Sequence, residues 1–379
     1  MIVERPALER RVLASLEASR IPVILGGCGM GRTSLLLRIE RLVGSERCQY
    51  LDLAASATTP ERCLASVRAA SRIRPGTGFA SPAPVSPRAA FDGLMAFFDA
   101  ASAPGGAATF LLDEALDLRT FESFPGLRHV QRDVLARLAA SPSRFVLASR
   151  FTARTHRLLR DAPARFEVIH LPPLDVAEVA TLARLFDGGR RDWAAPHAAV
   201  VAALTGGRAA YAHILLEAMT LLGSVIDPVA AMAALFAPEG RLTARCRESY
   251  EFRLHRARGY GALKAILGIL ADAEPINLTE IAQHLRRTPG STKDYLSWLE
   301  DVDLITSQGK RYAYEDPLLR LYVRLYGKPV PPSDLEVVRE VQGFAESRLA
   351  RIGERTAEPA LATAERGSDG ERSGIIEID

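Results

Sequence analysis

The sequence predicts an α/β fold: a parallel sheet with helices on both faces, then a helical region, then a small domain of helices and one hairpin. Three observations predict it. Short apolar runs alternate with helical segments over residues 1–173. From Leu174 to Arg258 the spacing is almost entirely helical. Residues 259–330 read helix, helix, helix, hairpin, helix. A chain of 379 residues suits about two or three domains. The divisions fall at 1–173, 174–258, 259–330 and 331–379.

Each element follows from its residues. Over 6–19, Leu8, Val12, Leu13 and Leu16 share a helical face, with Pro6 in the first turn. Ile21–Leu25 is an apolar run entering a glycine cluster, hence a buried strand. Thr33–Leu42 returns to helical spacing, and Cys48–Leu53 reads as a second strand. A helix over 60–70 starts at Pro60. Residues 71–88 hold four Pro and two Gly and read as a loop. Helix resumes over 89–101. Thr109–Leu112 is a strand ending in Asp113-Glu114. A helix over 127–140 and strands Phe145–Ala148 and Val168–Leu171 complete the sheet. Near the C-terminus, helices over 260–272, 278–286 and 291–302 precede the hairpin Leu304–Ser307/Arg311–Tyr314 and a closing helix, DPLLRLYVRLYG.

Composition excludes several classes. With 48% hydrophobic residues and a net charge of +3, the chain is globular rather than disordered. Cys28, Cys48, Cys63 and Cys246 show no paired spacing, which fits a reducing compartment. No stretch approaches the ~18 apolar residues of a membrane helix, and the charged opening segment has no apolar leader pattern. The expected location is cytoplasmic, away from membrane. Of the 48 basic residues only Lys264, Lys293, Lys310 and Lys328 are lysine. Chemistry before residue 264 that would ordinarily use lysine must therefore use another group.

The strongest motif is Gly26-Gly27-Cys28-Gly29-Met30-Gly31-Arg32-Thr33-Ser34. It matches the phosphate-loop pattern G-x-x-x-x-G-K-[ST], with Arg32 in the lysine position. Glycines let backbone N–H groups curl inward onto phosphate oxygens, and the following helix adds its positive end. Thr33 would place a hydroxyl on Mg²⁺, and Arg32 would contact the β and γ phosphates of ATP. Leu111-Leu112-Asp113-Glu114 has the form of the second nucleotide motif, Walker B. Asp113 at a strand's carboxyl end can hold Mg²⁺, and Glu114 can act as general base on water.

The order phosphate loop, Asp-Glu, then Ser149-Arg150 after a strand resembles P-loop NTPases with an extra strand between the two motifs, the ASCE division. Within it the chain resembles the AAA+ and STAND ATPases, especially archaeal-type ATPases and origin-recognition initiators with a C-terminal winged helix. The resemblance implies several roles. Arg150 would stand at the sensor-1 position and reach the γ-phosphate. Arg208, in Leu204-Thr205-Gly206-Gly207-Arg208-Ala209-Ala210, would be the sensor-2 arginine at the start of a helical lid; an ordinary helix-start arginine is the other reading. Arg5 with Glu9 resembles the segment that packs near adenine, or is a plain surface helix. AAA+ sites are completed by an arginine from the next subunit of an ATP-dependent homo-oligomer; Arg160 and Arg165 are candidates, or simply solvated. Arg32 departs from the family. A planar fork replaces a compact ammonium, so the expectation is nucleotide binding with slow hydrolysis.

The C-terminal domain matches the winged-helix pattern. Helix 291–302 would be the recognition helix, with Ser291, Thr292, Lys293 and Ser297 outward and Tyr295, Leu296 and Leu299 inward. Double-stranded DNA would meet Arg286, Arg287, Lys293, Lys310 and Arg311. Residues 256–328 carry 11 Lys/Arg and 9 Asp/Glu, a net of only +2, so packing against a protein remains the alternative. From Glu354 on, the chain is polar and acidic, and Ile375–Asp379 could add to a protein partner as a strand or be a plain terminus. Two functions stand at this point. One is an ATPase that couples nucleotide state to DNA binding. The other is an ATP-dependent signalling or scaffold switch, or a nucleotide-binding pseudoenzyme.

Overall fold

The computed structural model describes residues 3–76, 83–188, 195–221, 227–254 and 259–357. Its centre is a five-stranded, all-parallel sheet of β1 (Ile21–Leu25), β2 (Cys48–Asp52), β5 (Thr109–Asp113), β6 (Arg144–Ser149) and β7 (Phe166–His170), in the order β2-β5-β6-β1-β7. All five residues of β1 and all five of β5 are buried, which is why they read as continuous apolar runs rather than alternating ones. β6 lies between β1 and β5, as the extra-strand resemblance implied.

Helices cover both faces. On one, Val12 and Leu16 of the first helix (Pro6–Glu17) pack with Leu35, Leu36 and Ile39 of the helix Arg32–Val43. On the other, Phe98 packs tilted against Phe110 at 4.8 Å between ring centres, and Phe110 stacks on Phe145 at 5.9 Å. A short hairpin, β3 (Ser102–Ala103) with β4 (Gly106–Ala107), and a 3₁₀ helix, Ala115–Ser123, were not legible in the sequence. The strands are too short to build a period, and a 3₁₀ helix, with three residues per turn, does not show the α-helical spacing.

Beyond Leu174 the chain is helical: Val176–Asp187, Ala195–Thr205, Ala209–Leu221, Pro228–Leu235 and Arg241–Leu254. The last of these, here the connector helix, leads to helices Tyr260–Ala273, Leu278–Leu285 and Pro289–Asp301. They are joined by a three-stranded antiparallel sheet, β8 (Ile276–Asn277), β10 (Arg311–Tyr314) and β9 (Ile305–Gln308), in that spatial order. The helix Pro317–Tyr326 closes this module, and Asp334–Ala357 packs back on the helical region through Val337, Val341 and Ala345. The lid and C-terminal module share one buried cluster, so they pack as one body against the sheet domain. The proposed strand at Ile375–Asp379 lies outside the described residues.

Candidate functional site

β1 delivers the chain into the loop Gly26–Gly31, and the helix Arg32–Val43 starts directly after it. Gly29 and Gly31 have φ of +79° and +95°, a region costly for side chains. A Cβ at Gly29 would also meet Ala210 Cβ at 3.2 Å. The lid is that close: Ala210 N donates to Gly29 O at 2.9 Å. Between loop, first helix and lid is a cavity of about 380 Å³. Cys28 to Ser34, Glu114 and Arg150 line it on the loop side, with Arg5, Leu182 and His213 on the other.

Thr33 Oγ1 donates to Asp113 Oδ2 at 2.6 Å. Tyr50 OH, from the neighbouring strand β2, donates to the same oxygen at 3.0 Å. Burial, opposed by these hydrogen bonds and by Arg32, raises the Asp113 carboxyl above its ordinary range, and Glu114 adds to the rise. The hydroxyl and carboxylate are hard oxygen donors at the head of the loop, a set that suits Mg²⁺. Mg²⁺ takes one or two protein oxygens and leaves its other positions to phosphate and water. Among the described residues there is no group of three His, Cys, Asp or Glu that would hold a metal unaided.

Glu114 is clamped. Arg32 Nη2 donates to its Oε1 at 2.5 Å. Arg150 reaches its Oε2 with Nε at 3.0 Å and with the backbone N–H at 3.2 Å. Arg150 also pairs with Asp117 at 3.2 Å and lies over the Phe252 ring of the connector helix, 4.7 Å from its centre. Arg32 Nη1 bonds the carbonyls of Gly26 and Gly27. At 8% exposed, Arg32 is turned back onto its own loop, and its buried Nε makes no hydrogen bond.

The structure brings together the loop, Thr33, Asp113, Glu114 and Arg150. Arg208 is placed behind the loop: its guanidinium bonds Cys28 O at 3.0 Å and Glu315 O at 2.9 Å, with Asp316 at 3.6 Å. Arg5 is held by Glu178 at 2.8 Å and Pro172 O at 2.8 Å. Arg165 is tied to Ser19 O and Ala139 O, while Arg160 is exposed at its helix end. Arg286, Arg287, Lys293, Lys310 and Arg311 are each exposed, all within the C-terminal module. Thr292, expected outward, is buried, its hydroxyl donating to Thr288 O at 3.0 Å.

Sequence reasoning missed Tyr50, Asp117 and Arg245. Arg245, on the connector helix, lines the cavity with Nη2 3.9 Å from Cys28 Sγ. Burial opposes ionisation of the Cys28 thiol. The positive charges of Arg253, Arg245 and Arg32 outweigh it and hold the thiol below its ordinary range.

No protein-family model matches the sequence, and no curated protein matches it. Solved structures do resemble it. A Walker-type ATPase of Pyrococcus abyssi is 19% identical, with 85% of this chain and 96% of that one covered and a TM-score of 0.67. The Orc1 protein of Aeropyrum pernix, solved with DNA, is 14% identical over 93% and 95% of the two chains, with a TM-score of 0.42. A STAND protein with a tetratricopeptide repeat sensor from Pyrococcus horikoshii is 16% identical over 95% of this chain and 49% of that one, at 0.34. The first carries the comparison; the other two are too distant in shape to add to it. The chain has the P-loop NTPase fold.

Proposed function

We propose that this chain binds ATP with Mg²⁺ between sheet domain and lid, hydrolyses it slowly, and uses the nucleotide state to reposition a winged helix that binds double-stranded DNA. The observation that carries the reading is the Thr33–Asp113 pair at 2.6 Å beside a glutamate whose two oxygens are both held by guanidinium groups. Thr33 and Asp113 would hold the metal, which when bound neutralises phosphate charge. Glu114 would take a proton from water, but neither oxygen is available until Arg32 or Arg150 lets go. That release supports a slow step. Arg208 supports the coupling, because it ties Cys28 of the loop to Glu315, one residue before the cap of the closing helix.

The DNA reading is supported by the module's helix, strand, helix, helix and hairpin order and its five exposed cations. The near-neutral balance of residues 256–328 favours a protein partner as the second reading. Fluorescence anisotropy with a duplex at low salt separates them. The expected result is binding that weakens steeply with salt and changes with ATP. No binding with or without ATP leaves the protein-binding switch. Assembly into an ATP-dependent homo-oligomer, with Arg160 offered to a neighbour's site, belongs to the same proposal. For the enzyme itself, E114Q is expected to keep ATP and lose turnover at least 100-fold. Unchanged turnover would make the chain a nucleotide-binding pseudoenzyme.

A further inference from the structure

We infer that Arg245, on the connector helix, is a terminal-phosphate-binding residue of the nucleotide site, supplying the charge that Arg32 withholds. The assignment rests on the ATP reading above. Arg32 stands at the loop's cation position, yet both its terminal nitrogens are bound, to Gly26 O, Gly27 O and Glu114. The other guanidinium groups at the site are similarly committed. Arg5 is bound by Glu178 and two backbone carbonyls. Arg38 is bound by Glu4 and Glu9. Arg150 is bound by Glu114 and Asp117.

Arg245 differs. Its Nη1 pairs with Glu248 at 2.7 Å, one turn along the same helix, and the Glu248 side chain is 69% exposed. Its Nη2 faces the phosphate loop, where the neighbour is the Cys28 sulfur at 3.9 Å. Thiol sulfur is a weak acceptor, and an exposed pair of this spacing is easily exchanged. A phosphate oxygen offers the guanidinium a charge-assisted, two-pronged partner instead. The connector helix is laid along the site for this. Arg245, Ser249 and Phe252 fall on one face at i, i+4 and i+7. Arg245 reaches Cys28, and Phe252 lies under Arg150, which binds Glu114. Glu114 and the Thr33–Asp113 pair mark the end where the terminal phosphate belongs, so this face looks onto that end. The same contact would report the γ-phosphate to the helix that leads into the C-terminal module.

The test is equilibrium binding of ATP and ADP, each with Mg²⁺, to wild type, R245A, R245K and E248Q, with thermal melting to confirm folding. The expected result is at least tenfold weaker ATP binding in R245A and less than threefold change for ADP. R245K should recover part of the loss, and E248Q, which removes the competing carboxylate, should bind ATP more tightly than wild type. ATP affinity within threefold of wild type in folded R245A, or equal losses for ATP and ADP, overturns the assignment alone. No nucleotide binding by wild type overturns the reading of the site and the assignment together.

Discussion

Arg32 is where this site departs most from the pattern its loop otherwise follows. A lysine ammonium is a compact charge on a flexible stem. A guanidinium is a rigid fork with five donors, and here it spans loop carbonyls and Glu114 at once. R32K removes the second prong, so it should free Glu114 Oε1. The expected outcome is a single-turnover hydrolysis rate at least tenfold above wild type, a barrier lower by ~1.4 kcal/mol. An already fast wild type, or no gain in R32K, would show that the clamp does not limit the reaction. The loop itself was legible because its chemistry sits in nine consecutive residues. Asp113 and Glu114 were legible because a buried strand must end somewhere polar. Tyr50 and Arg245 were not. They enter the site from a neighbouring strand and from a helix over 200 positions later, and nothing local distinguishes them from their neighbours.

Among elements, the join between the C-terminal module and the sheet domain is the most informative. Asp303, at the end of the helix Pro289–Asp301, accepts from Thr152 N at 2.5 Å and Ala153 N at 3.4 Å, capping the helix Thr152–Leu159 that follows Arg150. Its backbone carbonyl accepts from Arg253 of the connector helix at 2.7 Å. Burial pushes the Asp303 carboxyl up to about 6 from 3.8; the two N–H groups and Arg253 oppose the rise, and Glu315 adds to it. A carboxyl raised in the folded state holds its proton longer than in the unfolded chain. Its contribution therefore favours folding at low pH and is lost as pH rises from about 4 to about 6. D303N keeps an acceptor without the charge. Between pH 4 and pH 7 wild type should lose on the order of 2 kcal/mol relative to D303N, read from denaturant melts. Parallel pH profiles would contradict the assignment. The central strands β1 and β5 could be read from sequence because burial on both faces leaves mostly apolar residues. The outward face of helix 289–301 was read less well, because Thr292 satisfies its hydroxyl on the preceding turn and so can be buried.

For the whole molecule, three bodies of residues converge on one cavity: the loop and Walker B strand, the lid at Ala209 and Ala210, and the connector helix at Arg245. The lid and C-terminal module share a core, and Arg208 bonds both the loop and Glu315. Under the proposed function, a change at bound phosphates would pass through these contacts to the exposed cations. In the sequence, periodicity changes at Leu174 and again near residue 259, where the domain divisions were expected. The sequence did not show which segments pack together, because that depends on pairs such as Asp316 with Tyr211, whose OH donates at 2.7 Å across more than 100 positions. Light scattering with a non-hydrolysable ATP analogue should show assembly beyond the particle formed without nucleotide. A particle of unchanged mass would confine the nucleotide's effect to the single chain. The most direct measurement is calorimetric titration of Mg²⁺-ATP into the full chain and into D113N. One saturable site, dependent on Mg²⁺ and at least tenfold weaker in D113N, is the predicted result; no binding by wild type, or binding indifferent to Mg²⁺ and to D113N, would contradict the account.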